Sequence, residues 1–451
     1  MMAIQKNILD FLHFDCPTIE QKNALLAMQI FVQNENIDDI LILCGAAGTG
    51  KSSITTALIG YLNEQDVKYK IAAPTGRAAR ILGRKSNTFA STIHSMIYNV
   101  TSNTESGEVT FTRKVMDDTD RYIFVIDEAS MINAEIANND QSLFKTDNSL
   151  LNDLLVYVKS GNKNNKIVFL GDRNQLPPVN EQESLALVPN YLMENYKMKC
   201  SLHLLTEVKR QEDGSYILKE ATKIREAIDN KMNRVDLNTF KFNNFSGAIT
   251  HYTREYLSND YDHCISIACS HNQNQAFNKY VRERIYGKDA KLIEKNDLLI
   301  VTKTWSRNEM ILYNGDHVTV ENIEMSKVEI VAGLHFVHIR VKGKNIDGSE
   351  YEVEDYLLLE SIFHPSGCLQ TADENKLRGE RYAKNKVLRE SGRPSDDRYV
   401  GALRLTYGHS ITCNKAQGGE WNNVYMNDFL LPSLKYIYTA LTRGKLEVRR
   451  Y

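Results

Sequence analysis

The sequence predicts an α/β protein of two parallel-sheet domains, each interrupted by an insertion, and three observations predict it. Short apolar runs at 40–44, 69–73, 122–126 and 166–170 each end in a polar or glycine-containing motif and alternate with helical stretches. That is the rhythm of a parallel sheet whose ligands sit at the carboxyl ends of its strands. A second rhythm of the same kind begins after about residue 215, and stretches of β-branched and aromatic alternation at 97–116 and 315–360 break the two rhythms. At 451 residues the chain also exceeds a single core, since a domain holds about 100–200 residues.

Taken in order, residues 20–36 carry Ala24, Leu25, Met28, Phe31 and Val32 at helical spacing. The apolar run 40–44 leads into glycine-rich GAAGTGKS and then ITTALIGYLNEQ, a strand, a loop and a helix. The segment 97–116 flanks a Ser106–Gly107 turn and predicts a β-hairpin set between a helix and the next core strand. The Asn/Asp-rich stretch 133–148 reads as a surface loop. CISIACS followed by HNQNQAFNKYVRERIYG is a strand and helix of the second rhythm, and 315–360 reads as consecutive short antiparallel strands, a small barrel. The polar, charged 371–398 reads as a solvated helical excursion before LRLTYGHSIT and NNVYMN resume the α/β pattern. The expected boundaries are 1–95 with 117–215 for the first domain and 96–116 for its hairpin. The second domain takes 216–314 with 400–451, and 315–399 is its insertion.

Composition excludes several classes. With 42% hydrophobic and 25% charged residues the chain is ordinary globular material. A net charge of −2 provides no global basic field, so any nucleic acid must be held by a local groove. The seven cysteines form no C-x-x-C pair, which points to neither zinc nor a disulfide framework and fits a reducing cytoplasm. No apolar run approaches the ~18 residues of a membrane span, and the start lacks a signal-peptide core. The expectation is a soluble, cytoplasmic protein with no membrane partner.

Chemistry concentrates at the strand ends. Gly45 to Ser52 matches G-x-x-x-x-G-K-[ST], in which glycines let backbone N–H groups curl around phosphate oxygens at the mouth of a helix. Gly48, Thr49 and Gly50 belong to this cradle. Lys51 would hold the β- and γ-phosphates of ATP and Ser52 the Mg²⁺. Val125 to Ser130 ends another apolar strand, placing Asp127 for the metal shell and Glu128 to orient and deprotonate a water. Gln175, in GDRNQLPP, is a neutral side chain able to sense a γ-phosphate beside the metal. These three motifs define nucleotide hydrolysis and leave its task open. APTGRAA (73–79), STIH (91–94), YGHSITCNKAQGGE (407–420) and YTALTRG (438–444) put hydroxyl and cationic residues at strand ends and helix starts, a suitable set for phosphate-backbone contacts.

As an ordered set, PTIEQ, GAAGTGKS, APTGRAA, STIH, IDEAS, GDRNQLPPV, LTEVKRQ, YNGD, TCNKAQGGEW and YTALTRGK resemble the RecD/Dda-like family of superfamily 1 helicases, 5′→3′ branch, from about residue 17 to 451. The resemblance implies two RecA-like P-loop NTPase domains, a hairpin pin in the first and an SH3-like barrel with a helical excursion in the second. It also implies an ATP- and Mg²⁺-dependent motor on single-stranded and forked DNA. Gln21 would read the adenine edge, Gln175 would sense the γ-phosphate, and Arg210 and Arg443 would be arginine fingers. Glu420 would contact the ribose and couple it to the strand-binding segment, while Thr75, Thr92, His94, Thr412 and Lys415 would lie along the DNA. Relatives usually carry His where this chain has Asn414, which can hydrogen-bond a phosphate but cannot carry charge.

The hairpin and barrel resemble the branch that moves 5′→3′, and Phe111, beside Val109, would stack on the last base pair at a fork. The competing reading of Phe111 is packing of the hairpin against the first domain. The implied setting is a bacterial or phage-infected cell, with the chain working as a monomer alongside replication or recombination proteins. The alternative function is a nucleotide-dependent DNA-binding switch, or an ATPase subunit of a larger repair or replication complex.

Overall fold

The computed structural model describes residues 6–102, 109–136, 148–207, 216–345, 347–364, 367, 369–429 and 433–451. They form two compact units, the first chiefly Met1–Asn99, Phe111–Asn138 and Thr146–Thr222 and the second chiefly Lys223–Tyr451.

The first unit is built on six strands in the order Ala90–Thr92, Tyr69–Ala73, Ile123–Ile126, Lys166–Gly171, Ile40–Gly45 and Cys200–Leu205. Every pairing is parallel. Ile40–Gly45, Ile123–Ile126 and Lys166–Gly171 are buried at every position. Their near-continuous hydrophobicity follows from helices covering both faces. Ile42, Phe124, Ile126 and Phe169 pack on one side with Leu151, Leu154 and Val158 of the helix Leu150–Gly161. Leu41, Leu43, Val125 and Val168 pack on the other with Leu25 and Met28 of Ile19–Gln33 and with Ile54 and Leu58 of Lys51–Glu64. The period-2 alternation of the strands thus divides one apolar run between two cores.

The expected hairpin is present as the paired strands Tyr98–Ser102 and Val109–Arg113. Its Ser106–Gly107 turn lies outside the described residues, as do positions 137–147 of the expected surface loop. The hairpin's base is tied down by buried Asp153, which accepts hydrogen bonds from the Tyr98 hydroxyl at 2.8 Å and Arg113 Nη1 at 2.7 Å.

The second unit holds two sheets. Five parallel strands run in the order Ser410–Thr412, Cys264–Ala268, Trp421–Met426, Gly444–Arg450 and Phe240–Lys241. The antiparallel sheet contains Glu329–Val331, Leu334–Lys344, His317–Ile323, Leu298–Val301 and Leu405–Tyr407, with Glu350–Leu358 paired to Leu334–Lys344. It therefore reaches beyond 315–399 at both ends, recruiting Leu298–Val301 and Leu405–Tyr407 through antiparallel pairing. A bridge between Leu357 and Leu403 draws the far edge back toward its start. The interior side is Leu299, Val301, Val318, Val320, Val337, Ile339, Val341 and Val353.

The segment 371–398 is helical as expected, at Thr371–Lys384 and Lys386–Ser391. It is not simply solvated. Leu377, Tyr382 and Leu388 are buried against Leu334, Phe336 and Leu358 of the antiparallel sheet. Glu374 is also buried and meets the Lys303 ammonium at 3.2 Å and Arg404 Nε at 3.5 Å. These cations hold its carboxyl at a pKa of about 2 despite burial, which pushes the other way.

Candidate functional site

Parallel pairing puts the carboxyl ends of neighbouring strands side by side. In the first unit Ala73, Ile126, Gly171 and Gly45 end four adjacent strands, and each is followed by a chemistry-bearing motif. Segments about 130 residues apart in sequence, 45–52 and 171–178, are thereby brought to one edge.

The phosphate cradle follows from its glycines. Gly48 and Gly50 have φ of 83° and 89°, a region glycine enters without steric cost. Gly50 is the N-cap of Lys51–Glu64, so the helix's first N–H groups open at the loop. A Cβ at Gly50 would come within 2.6 Å of Gln21 Nε2. Gln21 itself is buried; its Oε1 accepts the Thr18 N–H at 2.9 Å and its Nε2 donates to the Thr49 carbonyl at 2.9 Å. It fastens the first helix to the loop. Each amide atom retains capacity for one further hydrogen bond, which an adenine edge could take. Lys51 Nζ donates to the Ala46 carbonyl at 3.0 Å and also to the Gly45 carbonyl.

Burial raises the Asp127 carboxyl pKa, while the Glu128 N–H at 2.9 Å and the charges of Lys51 and Lys85 pull it down. Glu128 has φ 50° and ψ 38°, a left-handed conformation that a non-glycine residue adopts at a cost of about 1–3 kcal/mol. Such strain concentrates where a side chain must be aimed. Gln175 is buried, and its Oε1 has no hydrogen-bond partner among the described residues. An unmet acceptor of this kind favours a donor from outside the chain.

Sequence reasoning missed Lys85. Its ammonium lies 3.3 Å from Ser52 Oγ, at the end of the helix Gly76–Ser86. No local motif marks it, since only the packing of that helix beside Lys51–Glu64 brings it there. Ser52 and Asp127 together offer a hydroxyl and a carboxylate, oxygen donors that suit Mg²⁺. That ion takes one or two carboxylates and completes its shell with phosphate and water. Among the described residues no cluster of three or more His, Cys, Asp or Glu competes for a metal.

Thr75, Thr92 and Thr412 share one local structure. Thr92 and Thr412 end strands and Thr75 lies two residues past one, and each caps the helix that follows, its hydroxyl accepting the N–H of Ala78 at 3.2 Å, Ser95 at 3.1 Å and Lys415 at 3.4 Å. This explains why threonine recurs at these positions: the hydroxyl starts the helix, and at Thr92 and Thr412 β-branching also suits the strand. His94 is half-buried, and desolvation lowers its pKa, so it stands neutral near pH 7. Phe111 is partly buried against the first unit's core, its ring edge-on to Tyr98 at 6.2 Å. That placement is the packing reading rather than an exposed wedge.

In the second unit the candidate groups separate. Thr412 and Lys415 stand at the carboxyl edge, with Thr412 in register with Ala268. Glu420 and Arg443 precede Trp421–Met426 and Gly444–Arg450 at the amino edge, where Trp421 pairs with Gly444. Asn423 is in register with Cys264, four strand positions back from Ala268, so the segment 412–420 crosses more than ~13 Å of sheet. Asn414, beside Lys415, is half-buried in the short helix Cys413–Ala416. Glu420 is exposed and 3.7 Å from the Lys445 ammonium. Arg443 is buried and donates to the Thr439 carbonyl at 3.1 Å, the Gly419 carbonyl at 3.2 Å and Thr442 Oγ1 at 3.2 Å. His409 is a core residue between Tyr252 and Tyr256, its pKa pushed down to about 3 by burial. Arg210 lies outside the described residues.

A cradle, a half-buried aspartate and a strained glutamate at one edge of a parallel sheet, with a second parallel sheet in the same chain, define the fold of a P-loop NTPase with two RecA-like domains. Residues 29–181 match the AAA domain family, and 407–449 match the UvrD-like helicase C-terminal domain. Over 214 residues, 47% of this chain and 43% of the relative, the sequence is 29% identical to the ATP-dependent DNA helicase dda of Enterobacteria phage T4. Over 140 residues, 31% of this chain and 16% of the relative, it is 29% identical to the ATP-dependent RecD2 DNA helicase of Deinococcus radiodurans. The chain thus spans less than half the length of these curated relatives. The crystal structure of the Bacteroides Pif1 helicase with ADP-AlF3 and ssDNA shares the fold at a TM-score of 0.50 and 14% identity, over 97% of this chain and 92% of that one. In both family matches and in these relatives the chain is similar to superfamily 1 helicases of the RecD/Dda type. Among the described residues no helix is long and apolar enough to cross a membrane.

Proposed function

We propose that this protein is an ATP-dependent DNA helicase that translocates 5′→3′ on single-stranded DNA and separates duplex strands. The observation that carries the reading is the alignment of the phosphate cradle, Asp127–Glu128 and the Gln175 loop at one sheet edge. Helicases named among its relatives supply the substrate class. Lys51 and the cradle N–H groups bind the β- and γ-phosphates, and Gln21 takes the adenine edge. Ser52 and Asp127 would hold Mg²⁺, which neutralises phosphate charge when bound. Glu128 takes the proton of the attacking water, and Gln175 orients the reacting end. Arg210 and Arg443 act as fingers on the developing charge, a role that typically contributes about 10³–10⁵ in rate.

The second unit converts that chemistry into movement. The segment 412–420 joins the strand-facing Thr412, Asn414 and Lys415 to the ribose-facing Glu420. A shift at one edge is therefore transmitted to the other through one short covalent path. Thr75, Thr92 and His94 hold the strand on the first unit, with His94 acting as a neutral hydrogen-bonding group rather than a cation. The partners are single-stranded and forked DNA, engaged by a monomer.

Steady-state hydrolysis measured with and without single-stranded DNA tests the reading. Stimulation by the strand is expected. Equal rates with and without DNA would favour a switch that binds DNA without translocating, a reading Glu128 already disfavours because a pure switch has less need of a positioned base.

A further inference from the structure

The second unit contains a cavity of about 440 Å³ that borders Thr412 and Lys415 and extends well past them. Four cationic residues, Lys279, Arg282, Lys288 and Lys415, line it against one acid, Glu283. Its floor is already committed to the fold. Asn278 donates to the Tyr407 carbonyl at 3.3 Å and accepts the Ser410 N–H at 2.9 Å. Arg282 is paired with buried Asp297 at 2.8 Å. What remains for a ligand is the rim of Lys279, which pairs with Glu283 at 3.8 Å but is largely exposed, Lys288 and Phe363.

Phe363 is the informative member. It ends the short helix Glu360–Phe363, whose Ser361 and Ile362 are buried. Gln275 Nε2 donates to its carbonyl at 3.5 Å, and Ser361 Oγ is bonded to the Leu358 and Leu405 carbonyls. The backbone is therefore anchored, yet the residue is 62% exposed. A large aromatic fixed at the edge of a polar, net-positive cavity has an apolar face to offer and cations beside it.

We propose that this cavity is a nucleotide subsite in which Phe363 stacks a base while Lys279 and Lys288 take the flanking phosphates. The inference rests on the reading of the chain as a strand translocase and adds a base-stacking residue outside its motifs. Stacking on an aromatic face is sequence-tolerant because every base has a π-face, as a translocase requires. The same chemistry could serve a strand or a free mononucleotide.

Nucleotide-free binding of the full chain to a fluorescent oligo-dT, to an abasic oligomer of the same length and to dTMP separates these outcomes. Phe363→Ala is expected to weaken oligo-dT binding by about 5- to 150-fold, the range for removing one stacked base, with Phe363→Trp restoring it. The abasic oligomer should bind wild type and Phe363→Ala alike. Equal oligo-dT affinity for wild type and Phe363→Ala, or an equal loss on the abasic oligomer, overturns the stacking assignment and leaves the translocase reading intact. Tighter binding of dTMP than of any single nucleotide unit of the strand overturns the strand assignment. Failure of wild type to bind either oligomer overturns the translocase reading itself.

Discussion

The two units treat their carboxyl edges differently. In the first, the cradle, Asp127–Glu128 and the candidate γ-phosphate sensor Gln175 stand together at the carboxyl ends of adjacent strands. In the second, the carboxyl edge carries the candidates Thr412, Asn414 and Lys415, and the candidate nucleotide contacts Glu420 and Arg443 lie at the opposite edge. One unit concentrates its chemistry, and the other spreads it across the width of a sheet. A group that must only hold and cleave a phosphate benefits from convergence. A group that must report cleavage to a strand benefits from a short lever with a contact at each end.

The largest effects are expected where the first unit concentrates its chemistry. Lys51→Ala should leave no measurable hydrolysis, because it removes the phosphate-neutralising charge. Glu128→Gln should lower turnover by about 10²–10⁴ while keeping ATP affinity, since only the base is lost. Equal losses of ATP affinity in the two variants would contradict the division of labour between them.

Arg443→Ala sharpens the contrast from the other side. Its guanidinium ties Gly419 to Thr439 inside the second unit, so the variant should lose DNA-stimulated turnover and also about 1–3 kcal/mol of stability. Turnover and melting temperature measured together distinguish a finger from a strut. Loss of stability with unchanged turnover would assign it the strut alone.

Much of the first unit was legible because parallel strands covered on both faces are continuous apolar runs, and each run here ends in its motif. Less of the second was legible. Leu298–Val301 looks like another buried parallel strand, and only its antiparallel pairing to His317–Ile323 places it in the small sheet. The helices of 371–391 look solvated because Leu377, Tyr382 and Leu388 are sparse among charges, yet those three side chains carry their packing. Lys85 and the bonds of Arg443 depend on neighbours far away in sequence, which local pattern cannot show. Local pattern left Phe111 open between a wedge and a packing residue, because the Asp153 anchor that seats the hairpin lies 40 residues from Arg113.

The second unit should be the more acid-sensitive. His409 has a folded pKa of about 3 against 6.5 for the free group. Its contribution is full above pH 6.5 and falls away as pH drops toward 3, because the unfolded chain binds the extra proton. Glu374, at about 2 against 4.5, adds a loss below pH 4.5. Denaturant titrations between pH 7 and 4 should show His409→Gln flattening the slope by up to about 1.4 kcal/mol per pH unit. An unchanged slope would contradict the burial argument. The smallest effect is expected at the hairpin base, where Phe111→Ala should cost about 2 kcal/mol, less than the ~3–5 kcal/mol of a fully buried phenylalanine. Strand separation lost with stability unchanged would restore the wedge.

Strand displacement on matched duplexes bearing either a 5′ or a 3′ single-stranded tail tests the central claim most directly. The account predicts ATP-dependent unwinding of the 5′-tailed duplex and none of the 3′-tailed one. Preferential unwinding from the 3′ tail, or hydrolysis stimulated by DNA with neither duplex opened, would contradict it.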